Sequence, residues 1–141
     1  VAAGGAMANA GLCEMMASYA VRLGLAGFVI DGAVRGAASV GAGEFPLFAA
    51  GVSHRGPYKD GPGEINVPIA IDGMVIEPGD LMIGDDDGLL CVPYDHVAEV
   101  YAGATAKHAA ETAQMEKIAQ GTNDRSWVLE SLKKKGCLLP G

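Results

Sequence analysis

Glu14 and Arg35 stand with twenty residues between them, in two short segments, Gly11-Leu-Cys-Glu14-Met-Met and Val29-Ile-Asp31-Gly-Ala-Val-Arg35. A guanidinium is always charged and offers a carboxylate two parallel N–H bonds, so Arg35 is suited to clamping a small acid; a lysine would act only as a point charge. A carboxylate such as Glu14 can hold water or a hard cation beside such a clamp. Both residues also admit structural roles, Arg35 as an ion-pair partner of Asp31 and Glu14 as a solvated helix residue. The residues by themselves leave these readings open.

Other groups invite chemistry less. Asp85, Asp86 and Asp87 could attract a hard cation, but they precede Gly88 between two apolar runs, where Asp favours a turn. His54, His96 and His108 have no metal-ligand spacing and read as surface or loop residues. Gly41-Ala-Gly43 lacks the third glycine and the strand-to-helix context of a dinucleotide site. The single basic run, Lys133 to Lys135, reads as a solvated helix face. Cys13, Cys91 and Cys137 are odd in number and far apart, which fits neither zinc nor a disulfide framework and favours a reduced, cytoplasmic setting.

The elements that must position these groups follow from periodicity. Leu12, Met15, Met16, Tyr19 and Leu23 recur at helical spacing, which predicts a first helix capped by Asn9 and ended at Gly24. Gly27 to Ile30 reads as a short buried strand turning at Asp31-Gly32, with Arg35 just beyond it. Phe45 to Phe48 is a second apolar run. The loop from Ser53 to Glu64 holds five Gly or Pro residues, and loops of that length tend to be functional or mobile. Strands are expected over Ile65 to Ile71, Asp80 to Ile83 and Leu89 to Val92, separated by turns at Asp72-Gly73, Pro78-Gly79 and Asp87-Gly88. Helices follow from about Tyr94 to Gln120, ending at Gly121, and from Trp127 to Lys135. The class is mixed α/β, helix packed on sheet.

The 141 residues are expected to form a single domain (1–141), with 122–141 as a carboxy-terminal helical extension. The first residues, Val1-Ala-Ala-Gly-Gly, resemble neither a signal peptide nor a natural start, so a missing amino-terminal part is expected. Seventeen acidic against ten basic residues give a net charge of −7, which argues against a general nucleic-acid surface. Glu14, Arg22 and Asp31 interrupt the longest apolar stretches, so no membrane partner is expected.

The Glu14 and Arg35 segments are followed in order by Gly63-Glu-Ile-Asn-Val-Pro68, Pro78-Gly-Asp-Leu81 and Asp86-Asp-Gly-Leu-Leu-Cys-Val-Pro93. Together they closely resemble the family that holds the 4-hydroxy-4-methyl-2-oxoglutarate and 4-carboxy-4-hydroxy-2-oxoadipate aldolases and the regulator of RNase E activity A. The resemblance runs from about Gly4 to Gly121. It implies an α/β/β/α swivelling-type sandwich, RraA-like, assembled as a homotrimer or hexamer with sites between subunits. It also implies a class II, Mg²⁺- or Mn²⁺-dependent lyase that cleaves 4-hydroxy-2-oxo di- or tricarboxylic acids to pyruvate, with oxaloacetate decarboxylation through the same enolate. The alternative within the family is a non-catalytic binder that regulates an RNA-processing enzyme.

The resemblance carries over residue by residue. Arg35 matches the substrate clamp, and Glu14 the acid that holds metal-bound water. Met15 and Met16 match positions whose backbone N–H groups bind the pyruvyl end, with Gly11 at the head of the same substrate-binding segment. Glu111, in preference to Glu116, matches an acid supplied from a neighbouring subunit. One position departs: Gly36 stands where aldolase members place an Asp that ligates the metal directly. Gly36→Asp is therefore expected to restore a ligand if the backbone follows the family's course. It is expected to strain the turn if glycine is there for a positive φ.

Overall fold

In a computed structural model of the chain, the structure describes residues 1–137. Two compact units are present, one from Val1 to Tyr94 and one beginning at Asp95.

The first unit is built on a three-stranded parallel sheet in the order β1 (Ala2–Leu12), β2 (Phe28–Val34), β3 (Leu47–Val52). Parallel neighbours need crossovers, and α1 (Glu14–Arg22) and the short α2 (Ala37–Gly41) supply them. Leu12, Ala17, Ile30 and Val34 form the buried cluster, with Phe28, Val40, Phe45 and Leu47 packed against it. Both helices therefore cover one face of the sheet. Phe28 and Phe45 meet edge to face at 5.5 Å between ring centres.

The first element departs from expectation. The Ala- and Gly-rich start is strand β1, not the approach to a helix, and it is strongly bulged: Ala2, Ala6, Ala10 and Leu12 pair with the four successive residues Asp31, Gly32, Ala33 and Val34. Asp31-Gly32 is accordingly strand rather than turn. A Cβ on Gly32 would sit 3.1 Å from both Ala3 Cβ and Ala6 O, so the absent side chain is what lets β1 lie against β2. Asp31 accepts a hydrogen bond from the Gly5 N–H at 3.1 Å.

Asn9 does not cap α1. It lies in β1, and its Nδ2 donates to Gly56 O at 2.6 Å, while Cys13 takes the capping position without a side-chain cap. The helix does end as expected, with Gly24 in the left-handed region at φ 73. Its buried residues are Ala17 and Ala20; Met15, Met16, Tyr19 and Leu23, the expected core stripe, are exposed.

Two antiparallel hairpins complete this unit. β4 (Ile69–Ile71) and β5 (Met74–Ile76) join through Asp72-Gly73, both with positive φ, which suits a tight hairpin turn. The strand expected over Ile65 to Ile71 is confined to its last three residues, and β5 is additional to the expected strands. β6 (Leu81–Asp85) and β7 (Gly88–Val92) join through Asp86-Asp87. The Asp87 N–H donates to Asp85 Oδ1 at 2.9 Å, as a structural turn requires. Val29 and Phe48 share an apolar cleft with Ile69, Ile76, Met82 and Leu89, so the hairpins cover the sheet face opposite α1 and α2. Gly84 permits this approach, since a Cβ there would lie 2.6 Å from Phe48 Cζ and from Leu89 Cδ2.

Asp80 ties the strand approaches together. Its carboxylate accepts from the Glu77 and Tyr94 backbone N–H groups at 2.9 and 3.1 Å and from Cys91 Sγ at 3.5 Å. The Glu77 N–H holds the Asp80 carboxyl below its usual range against the opposing effect of burial, with Tyr94 and Cys91 adding to the lowering.

The second unit holds α3 (Val97–Ala119), entered by a short 3₁₀ turn at Tyr94–His96, and α4 (Ser126–Lys134). Gly121, with φ 69, follows the end of α3 as the sequence predicts. The Asp124 carboxylate accepts from the Ser126 N–H at 2.8 Å and starts α4. None of the residues of α3 is buried. Among the described residues no helix is long and apolar enough to cross a membrane.

Candidate active site

The register of the parallel sheet places the chemistry. Leu12 pairs with Val34 and Val34 with Val52, so the three strands end side by side on one edge. Two further bonds extend the ladder past the strands, Arg35 N–H to Leu12 O at 3.0 Å and Ser53 N–H to Val34 O at 2.9 Å. The chain leaves the sheet at that edge through Cys13 and Glu14, Arg35 and Gly36, and Ser53 and His54. The carboxyl ends of parallel strands are where open α/β sheets bind ligands.

A cavity of about 410 Å³ lies there, lined by Cys13, Glu14, Met15, Arg35, Gly36 and His54. A second, more apolar cavity of about 460 Å³ adjoins it and shares Cys13, Met15 and Arg35; Gly11, Met16, Tyr19, Pro57 and Lys59 are among its walls. The structure therefore brings Glu14, Met15, Arg35 and Gly36 to one cavity, and Gly11 and Met16 to its neighbour. Glu111 is in the second unit, on α3, where its carboxylate lies 3.3 Å from Lys107 Nζ in an exposed i, i+4 pair.

Arg35 makes no ion pair among the described residues, and Asp31, its suggested structural partner, bonds to Gly5 instead. Its Nη1 lies 3.5 Å from where a Cβ on Gly56 would stand, so the guanidinium runs beside bare backbone. That backbone is fastened by the Asn9 bond to Gly56 O and by Ala10 N–H donating to Arg55 O at 2.9 Å.

Gly36 has φ 77, and a Cβ there would stand 3.1 Å from Glu14 Cβ. The condition under which Gly36→Asp strains the turn is therefore met. Among the described residues no group of three or more His, Cys, Asp or Glu is arranged to hold a metal ion. Glu14 is the one carboxylate lining the cavity. A divalent cation can rest on a single protein carboxylate only when waters and substrate oxygens complete its shell.

Cys13 was not singled out by its sequence context. The Met16 backbone N–H at the start of α1 holds its thiol below the usual range; burial opposes this, and the Met15 N–H and the Arg35 guanidinium reinforce it. The Met16 N–H bonds Cys13 O at 3.0 Å. Met15 and Met16 side chains are exposed. His54 is a loop residue, as its sequence context predicts, and the end of β3 carries that loop into the site.

A three-stranded parallel sheet with crossover helices on one face and two antiparallel hairpins defines the class as mixed α/β. Residues 1–91 match the RraA-like family, Aldolase/RraA, and the chain belongs to that family. It is 39% identical over 106 residues to a Halalkalibacterium halodurans protein provisionally named a 4-hydroxy-4-methyl-2-oxoglutarate aldolase, a match covering 75% of this chain and 50% of that one. A solved structure from Pseudomonas syringae pv. tomato is similar at TM-score 0.78 and 32% identity, over 85% of this chain and 60% of that one. Streptomyces coelicolor RraAS2, described as an unusual member of the RNase ES inhibitor RraA protein family, is similar at TM-score 0.74 and 31% identity, over 82% of this chain and 60% of that one. The chain spans about half the length of the first curated relatives it matches.

Proposed function

We propose that this chain carries the pyruvate-forming site of a metal-dependent lyase that cleaves 4-hydroxy-2-oxo di- or tricarboxylic acids. The convergence of Glu14 and Arg35 on one cavity at the ends of adjacent parallel strands is the observation that carries this reading. Its family includes a relative bearing an aldolase name.

In the proposed reaction Arg35 clamps the carboxylate next to the 2-oxo group through paired N–H bonds. Glu14 holds a water that takes the proton of the C4 hydroxyl. The C3–C4 bond then breaks, C4 becomes a carbonyl, and the bonding pair moves onto C3 as the enolate of pyruvate; C3 takes up a proton to give pyruvate. Glu14 would hold Mg²⁺ or Mn²⁺ through water, and the ion when bound would supply positive charge that stabilises the enolate, a contribution of several kcal/mol. Oxaloacetate decarboxylation passes through the same enolate. Homotrimeric or hexameric assembly would let Glu111 of a neighbouring copy supply further negative charge.

A second reading, a non-catalytic protein that restrains an RNA-processing enzyme, is favoured by Gly36 and by the similarity to RraAS2. Pyruvate release from 4-hydroxy-4-methyl-2-oxoglutarate, 4-carboxy-4-hydroxy-2-oxoadipate and oxaloacetate separates the two. Mg²⁺- or Mn²⁺-dependent release supports the lyase. Failure with every acid and either metal, alongside inhibition of an RNase E-type nuclease, establishes the regulator.

A further inference from the structure

We infer that His54 recognises the far carboxylate of the substrate, so that the site selects acids with a carboxylate at each end. The inference rests on the reading of Arg35 as the clamp for the near carboxylate. Of the six residues lining the 410 Å³ cavity, only Arg35 and His54 carry side-chain N–H donors. The others contribute a thiol, a carboxylate, a thioether and bare backbone.

A substrate with two carboxylates brings a second negative charge into a cavity that already holds Glu14. That charge needs its own donor, since like charges at close range repel unless paired. Arg35 is engaged at the other end, which leaves the imidazole. Even when neutral, it donates one N–H.

The placement of His54 is defined on both sides. Ser53 before it donates through N–H to Val34 O and through Oγ to Ala8 O at 2.8 Å. Arg55 after it donates its N–H to Ser53 Oγ at 3.3 Å and accepts from the Ala10 N–H. This stretch of the long loop is thus tied to β1 and β2, and His54 lines the same cavity as Glu14 and Gly36. His54 is exposed to an entering ligand. A residue at the loop tip with no such anchoring could not discriminate between acids differing by a few ångströms in length.

Pyruvate and 2-oxoglutarate separate the two ends, because neither has the 4-hydroxyl needed for cleavage and only the second has a far carboxylate. Binding of each to the Mg²⁺-supplemented protein is measured by calorimetry. His54→Ala is expected to weaken 2-oxoglutarate about tenfold, the usual effect of losing a hydrogen bond to a charged group, and to leave pyruvate unchanged. His54→Gln, which keeps an N–H donor, should recover part of the loss. Equal weakening of both acids, or no change in either, overturns the inference. Arg35→Lys reports on the clamp independently. Weakening of both acids by Arg35→Lys supports the clamp whatever His54 does, and binding of both left intact removes the clamp and the inference with it.

Discussion

Arg35 and Gly36 are neighbours whose substitutions should fail for different reasons. Arg35 has no ion-pair partner among the described residues, so Arg35→Lys keeps charge and fold but loses the planar two-bond grip. We expect kcat/KM to fall by about 10- to 100-fold, the range for a charge-assisted pair, with the melting temperature unchanged. A parallel loss of thermal stability would mark Arg35 as structural. Gly36 sits at φ 77 against Glu14. Gly36→Asp should therefore cost about 1–3 kcal/mol of stability without raising metal affinity, and Gly36→Ala should cost a similar amount. If Gly36→Ala is neutral, backbone strain is not what glycine relieves there. Cys13 and Cys91 are shifted in opposite directions, Cys13 down by the α1 amides and Cys91 up by burial and by Asp80. At pH 7.5 iodoacetamide should alkylate Cys13 about tenfold faster than Cys91, followed by peptide mass spectrometry, because the thiolate is the nucleophile. Equal rates would contradict the placement of Cys13 at the helix start.

At the scale of elements, Asp80 links the residues before β6 to the chain leaving β7. Its folded pKa is lowered, so its contribution is fully present above the unfolded value of about 4 and is lost as pH falls through the folded value. Asp80→Asn should thus lower the melting temperature at pH 7, and the gap from the native protein should close only below about pH 4. A gap independent of pH would show that charge is not what matters. Much of this part was readable in the sequence, because turns carry local signals: Asp72-Gly73 and Asp86-Asp87-Gly88 announce hairpins, and Gly24 and Gly121 mark helix ends. β1 was not readable. Ala2 to Leu12 has none of the β-branched or aromatic residues that signal strands, and the small size of Ala3, Ala6 and Gly32 lets it lie in the sheet. The role of Asn9 is not legible either, since its bond to Gly56 spans residues distant in sequence. The candidate site was half legible. Glu14 and Arg35 stand out through the resemblance of their segments to a known family, whereas Cys13 and His54 enter only through the way three parallel strands end on one edge.

At the scale of the whole molecule, the buried set among the described residues is small and contains no large side chain that is fully enclosed. Met15, Tyr19, Tyr101 and Trp127 are each more than 60% exposed. Apolar surface of this extent favours association, and a homotrimer or hexamer is the expected state. Light scattering at micromolar concentration tests it; a monomer would remove any role for Glu111 in a neighbouring site. The lyase reading itself is tested most directly by following pyruvate release from 4-hydroxy-4-methyl-2-oxoglutarate while Mn²⁺ is titrated into the native protein and into Arg35→Lys. The native protein should release pyruvate in proportion to bound metal, lose that activity to chelator, and exceed Arg35→Lys at every metal concentration. Release that ignores both chelator and Arg35→Lys would contradict the site described, and no release at any metal concentration would contradict the activity.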